Sequence, residues 1–147
     1  MAQTFNNTVY VVDYDMKQAE IVILTEGEKF DAKNIPLVSM YNGYFGGGMS
    51  SVVFQDLRES KALAYSCYSV YRKSADPKLP YYNFSYIGSQ ADKLPEAMAG
   101  MMNLLNNVPK SDVSFGAAKN LFYRILKQNA LIKQGFYLII LMLRSLV

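Results

Sequence analysis

The sequence predicts an α+β domain in which helices pack on one face of an antiparallel-rich sheet. Strand-like and helix-like segments come in pairs, in the order ββ-αα-ββ-αα, and the strands of each pair are close enough in sequence to form hairpins. The chain has 147 residues, of which 51% are hydrophobic. This length and composition favour one domain with a substantial core.

The first strand pair and the first helix come before residue 46. Residues 9–12 and residues 18–24 are rich in β-branched side chains and flank a turn-like segment, which predicts two strands. Pro36 suits the first turn of a helix, because its missing N–H would have no helical partner there. Apolar residues then recur at steps of three and four, which predicts that helix: Leu37, Met40, Tyr41 and Tyr44.

A glycine turn separates this helix from a second, shorter one. Residues 46–48 are three glycines, which permit a sharp turn and a close approach of the backbone. Ser50 or Ser51 can cap the next helix. We expect it to end near Lys61, because residues 64–72 alternate as a strand does. Its apolar face comprises Val53, Phe54 and Leu57.

The second strand pair covers residues 64–72 and residues 81–87, with residues 73–80 as a loop. Alternation along the first strand predicts one face with Tyr65, Cys67, Ser69 and Tyr71, and another with Ser66, Tyr68 and Val70. The tyrosines of these strands form either a peptide-binding wall or ordinary cross-strand pairs.

Two further helices follow. The first begins at Asp92 and ends at Pro109, and the second begins at Ser111 or Ser114. Met98, Met101 and Met102 are interpreted as core residues beneath the sheet. The stripes predicted to be buried are Leu94, Met98, Met101, Leu105 and Val108 on the first helix, and Phe115, Ala118, Phe122, Ile125 and Leu126 on the second.

Residues 136–143 form an unbroken apolar run with neither a clean helical nor a clean strand period. The run is well short of the ~20 residues that span a bilayer, so it predicts no membrane span. We interpret it as a buried strand or helix.

Composition excludes several kinds of activity. The chain has no histidine and one cysteine, Cys67, so it lacks the ligands of a usual zinc site and the base of Ser-His or Cys-His catalysis. Its net charge of +3 is dispersed, which argues against nucleic-acid binding. One cysteine cannot form an internal disulfide, so cysteine usage does not distinguish a reducing from an oxidising compartment.

A specific motif spans the two short helices and the strand that follows. It reads Asn-Gly-Tyr-Phe-Gly-Gly-Gly-Met-Ser-Ser at residues 42–51, and Phe-Gln-Asp-Leu-Arg-Glu-Ser-Lys-Ala-Leu-Ala-Tyr-Ser at residues 54–66. This string closely resembles the pitrilysin/insulinase metallopeptidase family, which includes mitochondrial processing peptidase and its non-catalytic relatives. The order of elements also agrees with that family from about Val9 to about Lys127.

The resemblance implies a function and a site. Proteins of this family pair two homologous domains: the N-terminal one carries zinc on a His-x-x-Glu-His motif, and the C-terminal one supplies an Arg and a Tyr seven residues apart. This chain has Arg58 and Tyr65 and no histidine. It therefore resembles the non-catalytic C-terminal domain, with zinc in the partner domain and a peptide as substrate.

The chemistry of Arg58 and Tyr65 suits that role. A guanidinium gives forked donors to a peptide carbonyl or carboxylate, and a phenolic hydroxyl can donate to a developing oxyanion. The alternative is structural: Arg58 caps its helix or pairs with a surface carboxylate, and Tyr65 is one of many strand aromatics. Cys67 is interpreted as a small buried residue.

Two functions remain open. The chain is either the substrate-binding domain of a zinc metalloendopeptidase, inactive alone, or a non-catalytic scaffold of the same family. We expect residues 1–147 to form a single domain that is shortened at its C-terminus, because the family pattern is lost beyond about Gln134. We also expect the apolar run of residues 136–143 to mediate self-association.

Overall fold

The computed structural model describes the backbone of residues 17–144 and the side chains of residues 17–130. A single 3₁₀ turn, Ala32–Asn34, precedes the first helix, and a short π-helical segment, Phe54–Ser60, precedes the second strand. The regular elements are β1 Gln18–Glu26, α1 Ile35–Phe45, β2 Ser66–Arg72, β3 Tyr82–Gln90, α2 Leu94–Asn106 and α3 Asp112–Arg144.

The strands form one antiparallel sheet in the order β1-β3-β2. Ile87 of β3 lies at its centre, opposite Ile21 of β1 and Cys67 of β2. The antiparallel sheet, the helices and the three predicted strands within the described residues are confirmed. The strand predicted at residues 9–12 lies outside them.

The core lies between one face of this sheet and the helices. Cys67 and Ile87 contribute from the sheet, Phe45 from α1, Leu57 from the π-helical segment and Met101 from α2. All five side chains are buried. This arrangement confirms the prediction of helices packed on the sheet.

The end of α1 covers the outer edge of β2. The Asn42 side chain acts like a neighbouring strand: its amide nitrogen donates to the Tyr71 carbonyl at 2.8 Å, and its amide oxygen accepts the Tyr71 N–H at 2.8 Å. The Gly46 carbonyl accepts the Ser69 N–H at 3.3 Å. The exposed polar groups of an edge strand are thus satisfied within the chain.

The predicted helix starts are confirmed at both serine caps. The Ser51 hydroxyl accepts the backbone N–H of Phe54 at 3.5 Å before the π-helical segment. The Ser111 hydroxyl accepts the N–H of Ser114 at 3.2 Å at the start of α3. Both caps satisfy amide groups that have no partner within the helix.

The predicted buried stripe of α2 is wrong by about one residue. Ala97, Met101 and Leu104 are buried, whereas Met98 is 46% exposed and Met102 is also exposed. The interpretation of the three methionines as core is therefore correct for Met101 alone. Val108, at the end of the predicted stripe, is exposed as well.

The α2 helix makes a close contact with the π-helical segment. A Cβ at Gly100 would lie 2.7 Å from Cδ2 of Leu57, and the neighbouring Met101 is buried against the same core.

The stripe predicted on α3 is confirmed at Ala118 and wrong at its larger exposed residues. Ser114 and Ala118 are buried, whereas the larger side chains of that stripe are exposed at Phe115, Ile125 and Leu126. A Cβ at Gly43 of α1 would lie 3.6 Å from Cβ of Ala118, so small residues line the contact between α1 and α3.

The backbone of α3 continues as a helix through residues 136–143. The structure thus favours the helix over the strand for this run, while the burial of its side chains lies outside the described residues. Within the described part of the chain, no helix combines the length and the apolar character needed to cross a membrane.

Candidate functional site

Arg58 lies in the π-helical segment, next to the buried Leu57 that anchors this segment in the core. Its guanidinium carbon is 4.7 Å from the centre of the Phe54 ring, a cation–π contact. Its Nε is 3.8 Å from Oε1 of Glu59, and about half of each side chain is exposed. Such an exposed ion pair stabilises little, so Arg58 can exchange Glu59 for a ligand at small cost.

The link between Arg58 and Tyr65 has an unusual backbone. The N–H of Lys61 donates to the Asp56 carbonyl at 3.1 Å, the five-residue step of a π-helix. Ala62 then adopts a positive φ of 51°, which costs a residue with a Cβ roughly 1 kcal/mol. The Lys93 ammonium donates to the Ala62 carbonyl at 3.3 Å. Strain of this kind persists where surrounding contacts fix the backbone, often at functional sites.

Tyr65 directly precedes β2. Its N–H donates to the Gly88 carbonyl at 2.9 Å, so its backbone is fixed at the end of β3. The Ser89 hydroxyl donates to the Leu63 carbonyl at 2.6 Å and fixes the link on the other side. The Tyr65 side chain is 53% exposed. A fixed backbone with an exposed phenol suits a residue that contacts a ligand.

Arg58 and Tyr65 belong to the same end of the sheet, where β2 begins and β3 ends. The positive charge of Arg58 lowers the pKa of Cys67, two residues after Tyr65, against the larger effect of burial. The catalytic role of the two residues stays a prediction.

Cys67 belongs to the core. Its thiol lies 3.7 Å from the Val53 carbonyl, and burial raises its pKa to about 11. The thiol is therefore neutral at pH 7 and is a poor nucleophile. This confirms the interpretation of Cys67 as a small buried residue.

The strand tyrosines divide between the two faces of the sheet instead of forming one wall. Tyr71 and Tyr81 stack at 5.1 Å towards the helices, and Tyr68 and Tyr86 stack at 5.2 Å on the opposite face. On that opposite face, sequence reasoning missed an exposed apolar surface that includes Val22. The sequence did contain a signal for this surface. The unbroken apolar run of residues 21–24 is typical of a strand that is covered on both faces.

The residues present do not fit a zinc site. In the part of the chain that the structure describes, no three His, Cys, Asp or Glu residues cluster closely enough to hold a metal ion. The full sequence contains no histidine, and its one thiol is the buried Cys67. No catalytic step through a metal held by this chain follows from these residues.

Comparison with known families decides the classification. A model of the family described as the peptidase M16 inactive domain matches residues 2–121. The chain belongs to this family. The resemblance found in the sequence motif is thereby confirmed, and so is the non-catalytic character of this M16 domain.

Two relatives agree with this assignment. The M16 domain is 27% identical over 106 residues to an uncharacterized zinc protease, YmxG, of Bacillus subtilis (strain 168), with 72% of this chain and 25% of the relative covered. In fold it is similar to the crystal structure of a peptidase M16 inactive domain from Pseudomonas fluorescens, with a TM-score of 0.58 and 19% identity over 80% of this chain and 28% of the other. The chain thus spans about a quarter of each relative.

Proposed function

We propose that this chain is the substrate-binding domain of a zinc metalloendopeptidase, and that Arg58 and Tyr65 act on the peptide held between it and a catalytic partner domain. The observation that supports the proposal is that Arg58 and Tyr65, seven residues apart in a chain without histidine, both expose about half of a chemically competent side chain. Membership of an inactive M16 domain family supports a division of labour between two domains.

In this proposal each side chain has a separate task. The Arg58 guanidinium donates to a backbone carbonyl or carboxylate of the substrate, and its contact with Phe54 holds the fork in place. The Tyr65 hydroxyl donates to the oxygen that becomes negative when the scissile carbonyl is attacked. Zinc, and the water that it activates, belong to the partner domain.

The proposed experiment measures peptide hydrolysis by the assembled two-domain protein. Tyr65→Phe removes one hydroxyl, so turnover should fall by ~10²–10³ with a smaller change in KM, because the bond forms mainly in the transition state. Arg58→Lys keeps the charge and loses the fork, so kcat and KM should both worsen.

Two control variants on α3 match these substitutions. Tyr123 has the same exposed fraction as Tyr65, 53%, so Tyr123→Phe removes an equally exposed hydroxyl. Arg124→Lys, on the same helix, is the matched control for Arg58→Lys. Activity of Tyr65→Phe within about twofold of the Tyr123→Phe control would remove Tyr65 from the mechanism.

The second candidate is a non-catalytic scaffold, and the exposed apolar face of the sheet favours it. Val22, Leu24 and Tyr68 lie on that face and are exposed, as is common where a protein surface docks on a partner. In this reading the catalytic domain is the partner and Arg58 and Tyr65 are dispensable. Near-normal kinetics for both site variants would favour this function.

Two consequences apply to the isolated chain. It should hold no stoichiometric zinc and cleave no peptide, because its residues lack the ligands. Its apolar residues 136–143 are proposed to mediate self-association. Light scattering should detect a mass above the monomer that falls to the monomer mass in Ile140→Lys, whereas Lys133→Ala on the same helix should leave it unchanged.

A further inference from the structure

A cavity of about 760 Å³ lies between α1 and α2, at the far end of the sheet from Arg58 and Tyr65. Tyr65 bonds to Gly88 at one end of β3, whereas residues near Tyr82, at the other end, border the cavity. Six residues of β-strand separate these ends, or about 20 Å. The volume is in the range of small-molecule and peptide sites.

The wall of the cavity is aromatic and fixed. Tyr71 and Tyr81 stack at 5.1 Å, and the Tyr41 ring meets Tyr71 edge-on at 6.4 Å. The Tyr71 hydroxyl accepts the backbone N–H of Glu28 at 2.9 Å, and the Tyr81 hydroxyl donates to the Asp31 carbonyl at 3.1 Å. Because Tyr81 is 2% exposed and stacked on Tyr71, these rings form a fixed wall of the cavity.

Charge is segregated around this tyrosine pair. Among the residues that the structure describes, the charged ones that line the cavity are Glu26 and Glu28. Arg72 and Lys73 instead line a smaller neighbouring cavity of about 320 Å³, which shares Tyr71. The larger cavity thus combines two acidic residues with an aromatic wall.

Two of the exposed residues that line the cavity are apolar. Leu37 on α1 and Met102 on α2 both line it, and both are exposed. An apolar group between these two side chains would lose contact with water, while a charged group attached to it could reach the carboxylates.

We propose that this cavity binds an apolar organic cation, with the apolar body between Leu37 and Met102 and the positive group near Glu26 and Glu28. The chemistry is shared by a free alkyl or aryl amine and by a lysine or arginine flanked by apolar residues in a peptide. The site is separate from Arg58 and Tyr65, so its test does not depend on the proposed peptidase role.

The test is calorimetric titration of the full 147-residue chain with two probes that share one body. 4-Phenylbutylamine is a cation at pH 7 and 4-phenylbutyrate an anion. The amine should bind at least ~10-fold more tightly, and the double variant Glu26→Gln/Glu28→Gln should remove most of that difference. Saturable binding that is equal for the two probes, or unchanged in the double variant, would overturn the proposal.

A pair of variants on α2 locates the binding. Met102→Lys places a cation at the mouth and should abolish binding of the amine, whereas Met98→Lys changes an exposed methionine of the same helix that does not line the cavity. Thermal unfolding of both variants checks that they are folded. Equal affinity in the two variants would count against this cavity as the site.

The source of the cation is tested with acetyl-Leu-Arg-Leu-amide and acetyl-Leu-Glu-Leu-amide. The affinity ratio of the arginine peptide to the glutamate peptide is compared with that of 4-phenylbutylamine to 4-phenylbutyrate. A larger ratio for the peptides would assign the site to peptides, and a larger ratio for the small molecules would assign it to small amines. Failure of both the amine and the arginine peptide to bind at millimolar concentration would refute the proposal.

Discussion

Both faces of the sheet carry apolar side chains, but the face towards the helices also buries a polar cluster. This cluster lies beside Cys67 and Ile87: the Ser69 hydroxyl lies 3.0 Å from Oδ1 of Asn83 and 2.8 Å from the Ser85 hydroxyl, and Nδ2 of Asn83 donates to Ser85 at 2.9 Å. On the opposite face Val22 is 55% and Leu24 is 65% exposed. An isolated antiparallel sheet normally buries its apolar face.

The small polar residues of the buried face coincide with a close approach of two backbones. Small residues at Ser69 and Ser85 let the chain at Gly46 come within hydrogen-bond distance of β2. Their hydroxyls are mutually bonded, which limits the cost of burying them. We propose that a partner domain docks on the exposed apolar face.

The strongest test of this comparison is Gly46→Ala on the buried side. The new Cβ would lie 2.2 Å from the carbonyl oxygen and 2.5 Å from the amide nitrogen of Ser69, and neither backbone atom can move aside cheaply. We expect a loss of roughly 3 kcal/mol in the free energy of unfolding, measured by urea denaturation.

Gly48→Ala is the matched control, because no atom lies within 4 Å of its Cβ position. It should be neutral or slightly stabilising. Equal stabilities of the two variants would contradict a close approach at Gly46.

The buried hydroxyl network gives the second effect. Ser85→Ala removes the shared partner of Ser69 and Asn83, so both lose a bond inside the core. The free energy of unfolding should fall by about 2 kcal/mol. Ser66→Ala, on the exposed face of β2, should change it by less than ~0.5 kcal/mol. A Ser85→Ala protein as stable as Ser66→Ala would show that the network contributes nothing.

The pH dependence of stability tests the burial of Cys67. Folding raises the pKa of this thiol from 9.0 to about 11, so the neutral form is favoured in the folded state. Its contribution is complete below pH 9 and is lost as the pH rises from 9 to 11, because the unfolded chain ionises first. The loss should be about 1 kcal/mol by about pH 10.

Cys67→Ala should show a shallower decline of stability in the same window, measured by urea midpoints against pH. The tyrosines titrate there in both proteins, so the difference between the two curves isolates the thiol. Parallel curves would show that Cys67 is not shielded from water.

The smallest effect on stability is expected on the opposite face. Leu24→Lys should change the free energy of unfolding by less than ~0.5 kcal/mol, because the side chain is exposed, yet it should weaken binding to a catalytic domain in sedimentation experiments. The buried Leu57→Ala should instead cost about 3 kcal/mol. Undiminished binding by Leu24→Lys would mean that this face is not the docking surface.

Part of the candidate site was accessible from sequence and part was not. The interval from Arg58 to Tyr65 and the alternation of Cys67 and Ser69 were predicted, because both are local in the chain. The Phe54 contact of Arg58 and the positive φ of Ala62 were not, since they depend on how the π-helical segment closes on its neighbours.

The sequence by itself determined the three described strands, the helix starts at Ser51 and Ser111, and the inability of this chain to hold catalytic zinc. These follow from local periodicity, local caps and residue types. Only the tertiary structure decided which residues of α2 and α3 besides Met101 and Ala118 are buried, and which face of the sheet is covered. The reason is physical: close contacts at Gly46 and Gly100 fix the spacing between elements, and hydrophobicity patterns do not record how closely two backbones approach.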